Sequence, residues 1–308
     1  YVIAYRRQNL ESFLDAIIHT LNYFGGVPRS MIFDNARVAV KSGFGAHAAA
    51  QDDYSKLAAH YGFQPVFCNP ASGNEKGLVE NLVGYIRRNV CVPLPQVDSL
   101  EDLNTKLLEQ CAKYMNHKID GRSQKVGQML AEDQAHLHPL PKYVLDISKK
   151  AYPKVNRYST VLFDTNYYSV PCKYRGKGTT VKAYPNRVEI WINGLLVATH
   201  DRCMGRKQES LDLRHYLPIL EKKGRAIRYA RPVLNAVPAE FLNWMEKQHL
   251  NSKQMVELLE RCLTDGYLAV MQRDLPNPDT SIAKNDVPVL SVDLSQYDKL
   301  YERKGAAS

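Results

Sequence analysis

The first 90 residues alternate short apolar runs with amphipathic stretches, and this alternation limits the fold more than any other feature. Runs of β-prone residues predict strands, and apolar residues at helical spacing predict helices. The predicted elements follow in the order strand Tyr1–Tyr5, helix 10–24, strand Met31–Phe33, helix 54–61, strand Pro65–Cys68 and helix 75–90. Strands that alternate with helices favour right-handed crossovers and a largely parallel sheet. We therefore expect an α/β fold.

A second pattern begins near residue 150. The run His136-Leu137-His138-Pro139 breaks any helix there, after a fourth predicted helix near 100–115. Short β-prone runs then follow one another, separated by turn residues such as Asn193-Gly194. The predicted strands are Thr160–Phe163, Tyr167–Val170, Thr179–Ala183, Val188–Ile192 and Leu195–His200. Five short strands in fewer than fifty residues predict a small β-barrel.

These patterns divide the chain into segments. Helical spacing resumes from about Leu211, with amphipathic stretches near 238–248 and 252–271, and a Pro/Asp/Ser-rich tail begins at Pro276. The predicted segments are an α/β core over 1–125, a linker over 126–150, a small β-barrel over 151–205, a helical region over 206–275 and an extended tail over 276–308. In the tail, only residues 287–301 have enough apolar side chains to dock on another surface.

The composition is that of a globular protein. Of 308 residues, 44% are hydrophobic and 24% are charged, a balance that excludes a disordered chain. No apolar run approaches the roughly 20 residues that cross a bilayer, and the first residues lack the layout of a signal peptide. These observations exclude membrane and secreted proteins. The six cysteines form no CxxC pair and no zinc-site spacing, which favours a reducing, cytoplasmic setting.

The positive charge is concentrated in one part of the chain. The net charge is +9, but residues 1–147 hold 15 basic and 15 acidic residues. Residues 148–231 hold 18 basic and 6 acidic residues, and residues 232–308 hold 8 and 11. The excess of +12 in the middle segment indicates either a well-solvated surface or a binding site for a polyanion. Charge alone does not separate these two interpretations.

Two carboxylates stand where a metal site could form. Asp34 follows the strand Met31–Phe33, at the edge where open α/β sheets bind ligands, and Glu80 lies in the helix after the third strand. Taken singly, Asp34 is more typical of a turn residue and Glu80 of a solvated helix face. Together they can converge on Mg²⁺, which prefers carboxylate oxygens. Two such ions would stabilise the attacking and leaving oxygens of a phosphodiester displacement.

Two carboxylates seldom hold two ions, so a third ligand is expected on an earlier strand. No Asp or Glu precedes Glu11, and Glu11 itself lies in a predicted helix. Either the site is incomplete in this chain or its first ligand lies upstream of Tyr1. We expect the second arrangement, because a first residue other than Met suggests a sequence that begins inside a longer protein.

Several passages together carry a family resemblance. They are Arg7 to Asp15 with Tyr23 to Arg29, Phe33-Asp34-Asn35, Asn74 to Asn81, Tyr168 to Pro171, and His200 to Arg202. As a combination they resemble the retroviral-integrase-like transposases, and within them the IstA-type transposases of bacterial insertion sequences. The resemblance implies an RNase H-like core, formed by a mixed sheet flanked by helices, with an Asp, Asp, Glu metal site. A small β-barrel and a C-terminal helical region are implied to follow it.

The resemblance implies a role for both carboxylates. Asp34 matches the second metal-binding Asp, and Glu80 matches the metal-binding Glu, with Glu75 as its rival. Glu80 is preferred because it follows the Lys-Gly-x-Val pattern and lies a full turn inside the predicted helix. The first Asp of the family has no match in this chain. The implied cofactor is a pair of Mg²⁺ ions, for which Mn²⁺ can substitute.

The resemblance also implies an activity and partners. The activity is Mg²⁺-dependent cleavage at the 3′ ends of an insertion sequence, followed by strand transfer into target DNA without a covalent protein intermediate. The partners are the element ends, the target DNA, an AAA+ ATPase helper of the IstB type, and at least one further copy of the chain. Residues 287–301 are a candidate surface for the helper or another subunit. The expected location is the bacterial cytoplasm, in association with the nucleoid.

Basic residues supply candidate DNA contacts in two places. Arg87, seven residues after Glu80 on one helical face, and Arg88 can reach phosphates or terminal bases, with ordinary surface charge as the alternative. In the barrel region, cations that would neutralise phosphates alternate with Tyr174 and Tyr184. These tyrosines either stack on a base or pack in the barrel. The candidate cations there are Lys173, Arg175, Lys177, Lys182, Arg187, Arg206 and Lys207.

Two other functions stay open from the sequence. An RNase H-like nuclease, such as a junction resolvase, would cut DNA without joining it. A non-catalytic DNA-binding or architectural protein would keep the fold and lose the chemistry. The histidines show no paired spacing and are given no catalytic role.

Overall fold

The computed structural model describes residues 1–33, 40–42, 49–50, 52–67, 84–89, 92–93 and 95–273. The helices are α1 Leu10–Phe24, α2 Asp52–Tyr61, α3 over 84–89, α4 Leu100–Tyr114, α5 Val126–Gln134, α6 Leu217–Lys222, α7 Arg231–Ala236, α8 Ala239–Lys247, α9 Ser252–Asp265 and α10 Tyr267–Arg273. The strands are β1 Ser30–Phe33, β2 Val40–Ser42, β3 Ala49–Ala50, β4 Gln64–Phe67, β5 Lys149–Ala151, β6 Thr160–Phe163, β7 Asn166–Ser169, β8 Thr180–Ala183, β9 Arg187–Ile192, β10 Leu195–Asp201 and β11 Glu209–Ser210. This mixture of helices and sheets confirms the α/β class.

The first helix begins and ends where its sequence predicts. The side chain of Asn9 accepts a hydrogen bond from the Ser12 N–H at 2.9 Å, which satisfies one free donor of the first turn. Gly25 ends the helix at φ +75°, a conformation that favours glycine. The apolar face of α1 packs with Tyr54 and Leu57 of α2 in one buried cluster. This cluster is the core of the N-terminal part.

Two strands of the N-terminal part pair as the alternation predicts, whereas the antiparallel pair of β2 and β3 was not predicted. β1 and β4 are parallel, with Ser30 opposite Gln64 and Phe33 opposite Phe67. The prediction of a strand over Tyr1–Tyr5 is wrong, because residues 1–5 form no strand. Instead, the Ala4 backbone exchanges two hydrogen bonds with the Asn104 side chain on α4, at 2.7 and 3.2 Å. A side chain thus takes the place of a neighbouring strand.

A backbone bridge joins the residues just after the first helix to the residues just before the β-rich part. Val27 and His138 form an antiparallel bridge, in which each N–H donates to the other carbonyl, at 2.8 and 2.9 Å. Gln134 adds a hydrogen bond to the Phe24 carbonyl at 2.8 Å. A Cβ on Gly26 would lie 2.6 Å from Leu137 Cβ, so only glycine fits this contact. The two ends of the segment 28–137 are therefore held together. Helix α5 lies within the predicted linker over 126–150.

Residues 149–210 form two packed sheets, which we call the β module. One sheet has the order β10-β9-β8-β5 and the other the order β11-β7-β6. Both contribute to one buried cluster that includes Val161, Tyr168, Val181 and Ile190. Among the described residues no strand pairing closes the sheets into the predicted barrel: β11 and β6 are the edge strands of one sheet, β10 and β5 those of the other, and no edge strand pairs with the opposite sheet.

The turns of the β module follow the predicted chemistry. Asn193 and Gly194 join β9 to β10 with φ values of +51° and +78°, which is the geometry of a two-residue hairpin turn. Asp164 and Thr165, with φ values of +48° and +66°, join β6 to β7 in the same way. Both turns fix the register of their hairpins, and the predicted strands are confirmed to within a residue or two.

The last described part is a helical bundle. Helices α6 to α10 share a buried cluster that includes Leu217, Phe241, Met245 and Leu259. The predicted helix over 252–271 is interrupted, because Gly266 at φ +88° separates α9 from α10. No helix among the described residues combines the length and apolar character needed to cross a membrane. The tail from 276 to 308, including 287–301, lies outside the described residues.

Candidate nucleic-acid interface

The predicted metal ligands belong to the carboxyl edge of the β1–β4 pair. Because the two strands are parallel, Phe33 and Phe67 end at the same edge. Asp34 follows Phe33 in the chain and, like Glu75 and Glu80, lies outside the described residues. Within the described ranges, no three His, Cys, Asp or Glu side chains gather into a group that could hold a metal. The metal site therefore stays a prediction.

The two predicted arginines of the core lie on α3. This helix contacts α4 through an edge-to-face pair of Tyr85 and Tyr114, whose ring centroids are 5.3 Å apart. Arg87 and Arg88 are both exposed. Neither forms an ion pair within the described part of the chain. Both charges are thus available to a ligand, and their contact with DNA stays a prediction.

Three of the predicted cations share one exposed turn, residues 171–178, which we call the cation turn. It connects β7 to β8 through a 3₁₀ helix at Cys172–Tyr174 and through Gly176 at φ +78°. The side chains of Lys173, Arg175 and Lys177 are exposed and form no ion pair with any residue that the structure describes. A Cβ on Gly176 or Gly178 would meet nothing within 4 Å. The turn therefore offers open positive charge to an anionic ligand.

Two other predicted cations, Lys182 and Arg187, have carboxylate partners. The Lys182 ammonium donates to Asp146 at 2.9 Å, and the Lys150 ammonium lies 3.2 Å from the same carboxylate. Burial raises the pKa of Asp146, but hydrogen bonds from Ser148, Lys182 and Lys150 outweigh it and hold that pKa well below its usual range. Lys182 is thus engaged with Asp146 instead of being free for a ligand.

Arg187 is paired in a similar way on β9. Its guanidinium donates to Glu189 at 2.9 Å and lies 4.1 Å from the ring centre of Tyr184. The carboxylate and the ring together hold the side chain against the sheet. Arg187 therefore differs from the cations of the cation turn, although the sequence assigns them one role.

Arg206 and Lys207 lie on an exposed turn between β10 and β11. The buried Asn166 side chain fixes this turn, since it donates to the Gly205 carbonyl at 3.0 Å and accepts from the Gln208 N–H at 2.9 Å. Lys207 has φ +57°. Neither cation forms an ion pair with a described residue. The turn is hydrogen-bonded at its base and exposed at its tip.

The predicted tyrosines belong to the module itself. Tyr174 is half-buried and packs against the cluster that contains Val181. Burial raises the pKa of Tyr184, whose ring also lies under Arg187. These contacts favour packing over base stacking, which were the two alternatives from the sequence.

The structure adds two cations that the sequence reasoning missed. Residues 152–158 run beside the cation turn, with Lys154 bridged to Gly178 and the Val155 N–H donating to the Lys177 carbonyl at 2.9 Å. Lys154 and Arg157 are exposed and carry no ion pair within the described ranges. The signal was present, because Tyr152 and Tyr158 interleave with these cations as other tyrosines do downstream. Together with the cation turn they form a surface that can neutralise phosphates.

One buried arginine joins the β module to the N-terminal part. The Arg202 side chain is 3% exposed, and its guanidinium lies 3.5 Å from Glu11 on α1 and 3.7 Å from Asp164. It also donates to the Tyr184 carbonyl at 3.0 Å. Arg7 reinforces the contact through Asp164 at 3.9 Å and through the Met204 carbonyl. This joint fixes the cations of the module relative to α1.

Two histidines lie in a polar network beneath the module. His200 Nε2 bonds to the Ser169 carbonyl at 2.7 Å, and His215 Nδ1 lies 2.8 Å from the Ser169 hydroxyl oxygen. Burial lowers the pKa of His200. Burial also lowers the pKa of His215 to about 4, although the nearby Asp212 opposes the shift. Both histidines are neutral at pH 7 and hold β7 to β10 and to the following chain.

Comparisons with known proteins agree with this architecture. Residues 140–212, which contain the whole β module, match the family model described as "Mu transposase, C-terminal domain". A protein named "Transposase" from Aminobacter aminovorans is 31% identical over 283 residues, which cover 88% of this chain and 55% of that protein. The transposase for insertion sequences IS1326/IS1353 of Pseudomonas aeruginosa is 31% identical over 277 residues, with coverages of 87% and 54%.

A third relative is the transposase for insertion sequence element IS21 of Pseudomonas aeruginosa. It is 28% identical over 225 residues, which cover 72% of this chain and 57% of that protein. The chain thus spans about half the length of the curated relatives it matches. The resemblance found in the sequence is confirmed: over most of its length, this chain is homologous to insertion-sequence transposases of the IS21 and IS1326/IS1353 kind.

Proposed function

We propose that this chain carries the DNA-cutting and DNA-joining part of an insertion-sequence transposase. The observation that carries the proposal is the similarity to such transposases over most of the chain. In this proposal the N-terminal part is an RNase H-like core, and its substrate is the 3′ end of a bacterial insertion sequence. Hydrolysis frees a 3′-hydroxyl. That hydroxyl then attacks a phosphodiester of the target DNA, forming a new P–O bond while the bond to the target strand's own 3′-oxygen breaks and that oxygen leaves as a 3′-hydroxyl.

In this proposal Asp34 and Glu80 hold two divalent cations. Their oxygens are hard donors of the kind that Mg²⁺ requires, so the donor set fits Mg²⁺, or Mn²⁺ in its place. A bound pair of such ions supplies stabilisation of the attacking and leaving oxygens. Asp34 follows β1 at the shared carboxyl edge of two parallel strands, which supports its assignment. The third ligand of the Asp, Asp, Glu set is proposed to lie upstream of Tyr1.

The β module is proposed to hold the DNA. The exposed side chains of Lys173, Arg175 and Lys177 are free of ion pairs with described residues, so they can pair with phosphates without breaking internal contacts. Because the Arg202–Glu11 contact ties the module to α1, DNA on the module keeps a fixed position relative to the core. Arg87 and Arg88 are proposed to contact the same DNA nearer to the carboxylates.

The proposed assembly contains more than one chain. Two element ends have to be joined in one synapse, so at least a dimer is required. An AAA+ ATPase helper of the IstB type is proposed to deliver the target DNA. The proposed setting is the bacterial cytoplasm, at the nucleoid, where the DNA partners are found.

A strand-transfer assay tests this function. The chain, together with the upstream residues that would carry the proposed third ligand, is incubated with Mg²⁺ and a labelled duplex that carries the element end. Cleaved and joined products are then separated. Asp34→Asn and Glu80→Gln are each expected to reduce both products by at least about 10-fold to 100-fold, the loss that follows from changing even an outer partner of a metal ligand, because each replaces a ligand carboxylate by an amide. Glu75→Gln is the matched control, since it changes the rival carboxylate and is expected to keep activity.

Each alternative has its own result in this assay. Cleavage without joined products would indicate a nuclease in place of a transposase. DNA binding with no cleavage in Mg²⁺ or Mn²⁺ would indicate a DNA-binding protein without catalysis. Equal activity of Glu80→Gln and the unchanged chain, with loss in Glu75→Gln, would move the metal ligand to Glu75.

A further inference from the structure

A cavity of about 720 Å³ lies between the β module and the C-terminal helices. Its volume falls in the range of roughly 300–1,000 Å³ that is typical of small-ligand sites. Its floor on the helical side is apolar, with Ile219, Leu220 and Pro232. Polar and aromatic side chains surround that floor. These side chains include Arg157, Tyr158, Tyr167, Arg175, Tyr216 and Arg231.

The charge of the cavity is positive. Glu209 is the only carboxylate among its described lining residues, and Arg231 neutralises it with a contact of 2.8 Å. Arg157 and Arg175 line the same cavity and form no ion pair within the described part of the chain. Two guanidinium groups are therefore left for an anionic ligand. Guanidinium groups pair with phosphate in a bidentate manner.

The cavity also presents aromatic rings. Tyr158 is 63% exposed and Tyr167 is 36% exposed, although both belong to a packed module. The Arg157 guanidinium lies 4.8 Å from the ring centre of Tyr158. The Tyr216 hydroxyl donates to the Tyr158 carbonyl at 3.2 Å, which ties the backbone of Tyr158 to the helical side. Exposed rings beside guanidinium groups are the combination that stacks on nucleobases and binds their phosphates.

Arg175 connects this cavity to the cation turn, because it belongs to both. A DNA strand whose phosphates follow Lys173, Arg175 and Lys177 therefore passes the mouth of the cavity. A paired base cannot leave its duplex without losing its stacking and pairing, whereas an unpaired base can enter an aromatic site at little cost. The positive charge, the rings and the apolar floor together suit an unpaired nucleotide.

We propose that this cavity receives an unpaired nucleotide of the DNA strand that the cation turn holds. The inference rests on the proposed function, since it requires DNA on the β module. It adds a preference to that function: DNA with an unpaired end binds more tightly than the same DNA as a blunt duplex. Tyr158 and Tyr167 stack on the base, while Arg157 and Arg175 pair with its flanking phosphates.

A binding experiment with two probes tests the proposal. One probe is a blunt duplex, and the other is the same duplex with a three-nucleotide overhang that contains 2-aminopurine. The chain is expected to bind the overhang probe about 5-fold to 100-fold more tightly, the range that base–aromatic stacking provides. The 2-aminopurine fluorescence is expected to fall on binding, because stacking on tyrosine quenches it.

Single substitutions test whether the tyrosines of the cavity cause the preference for the overhang. Tyr158→Ala and Tyr167→Ala are expected to reduce the preference for the overhang and the quenching, with the affinity for the blunt duplex unchanged. Tyr158→Phe keeps the ring and is expected to keep both. Tyr152→Ala is the matched control, because Tyr152 is 73% exposed and lies outside the cavity lining. An unchanged affinity for the blunt duplex also shows that each variant is folded.

Three results would overturn the inference. Equal affinity of the unchanged chain for both probes, without quenching, removes it and leaves salt-dependent DNA binding by the module intact. A preference that survives in both Tyr158→Ala and Tyr167→Ala places the unpaired nucleotide elsewhere. A chain that binds neither probe removes this inference together with DNA binding by the module.

Discussion

The β module carries two sets of cations that look alike in the sequence and differ in the structure. Lys173, Arg175 and Lys177 are exposed on the cation turn and form no ion pair with a described residue. Lys182 and Arg187 lie a few residues further along and are held by Asp146 and Glu189, each at 2.9 Å. A cation that already has a carboxylate must give it up before it can neutralise a phosphate. A high density of basic residues therefore indicates a surface that can bind DNA. The ion pairs within the protein indicate which of those basic residues are available to phosphates.

The largest expected effect comes from removing the three charges of the cation turn. The triple change Lys173→Gln, Arg175→Gln and Lys177→Gln is expected to lower the salt slope of DNA affinity by roughly 2 to 3 units, because each phosphate contact contributes about 0.9. Fluorescence anisotropy across a range of salt concentrations measures this slope. The matched control is Lys182→Gln with Arg187→Gln, for which the slope should change by less than about 1 unit. Equal changes in the salt slope of the two variants would show that the paired and the unpaired cations contribute alike to DNA binding.

The next effect concerns a paired cation that is deeply buried, Arg202. Glu11→Gln removes a carboxylate beside a guanidinium that is 3% exposed, and we expect the free energy of unfolding to fall by about 1–3 kcal/mol. Asp164→Asn is the control, because Asp164 is 38% exposed and its contact is solvent-screened, with an expected loss below about 1 kcal/mol. Urea denaturation measures both. An equal loss in the two variants would contradict a special role for the buried contact.

Acidification tests the histidine network beneath the β module. The folded-state pKa of His215 is lowered to about 4, chiefly by burial, against an ordinary value of 6.5. The unfolded chain therefore binds a proton near pH 6.5 that the folded chain refuses until about pH 4, and stability falls as the pH falls through this window. Allowing for partial exposure of His215, we expect a loss of roughly 1–2 kcal/mol between pH 7 and pH 5.

Urea denaturation at pH 5, 6 and 7 measures this loss, and His215→Gln is expected to make the profile flatter. The lysine and arginine charges do not change in this range. A profile that keeps its full slope in His215→Gln would place the proton uptake on another group, of which His200 is the nearest in the network.

The smallest expected effect comes from the paired Lys182. Lys182→Gln loses one charged hydrogen bond, but Lys150 still lies 3.2 Å from the same carboxylate. We expect a double-mutant cycle between Lys182→Gln and Asp146→Asn to give a coupling of about 0.5–1 kcal/mol in stability. The DNA salt slope of Lys182→Gln should stay within experimental error of the unchanged chain. A large change in slope would show that the pairing with Asp146 opens when DNA binds.

Features set by neighbouring residues could be predicted from the sequence. The ends of α1 depend on Asn9 and Gly25, and the β9–β10 turn depends on Asn193 and Gly194, so each prediction needed only a few adjacent residues. The α/β alternation and the parallel pairing of β1 with β4 followed from the order of elements. The family resemblance added the transposase relationship, which the comparisons confirmed.

Features that depend on contacts between residues distant in the sequence could not be predicted from it. The strand over Tyr1–Tyr5 failed because the partner of Ala4 is Asn104, a side chain 100 residues away. Lys182 looked equivalent to Lys177 because its partner Asp146 lies 36 residues earlier. The predicted barrel depends on pairing between strands of two separate sheets, and no such pairing is present among the described residues. The cavity between the module and the bundle is formed by segments that only the fold brings together.

The bridge between Val27 and His138 bears on how such chains diverge. It brings the two ends of residues 28–137 together. Because doubling the length of a flexible loop changes its closure entropy by only about 0.6 kcal/mol, length changes inside this segment are inexpensive between its packed elements, whereas β1, α2 and β4 belong to the core. The interval between Asp34 and Glu80 falls inside this segment. The number of residues between the two carboxylates can therefore change at small cost only outside α2 and β4, which have to keep their places in the core.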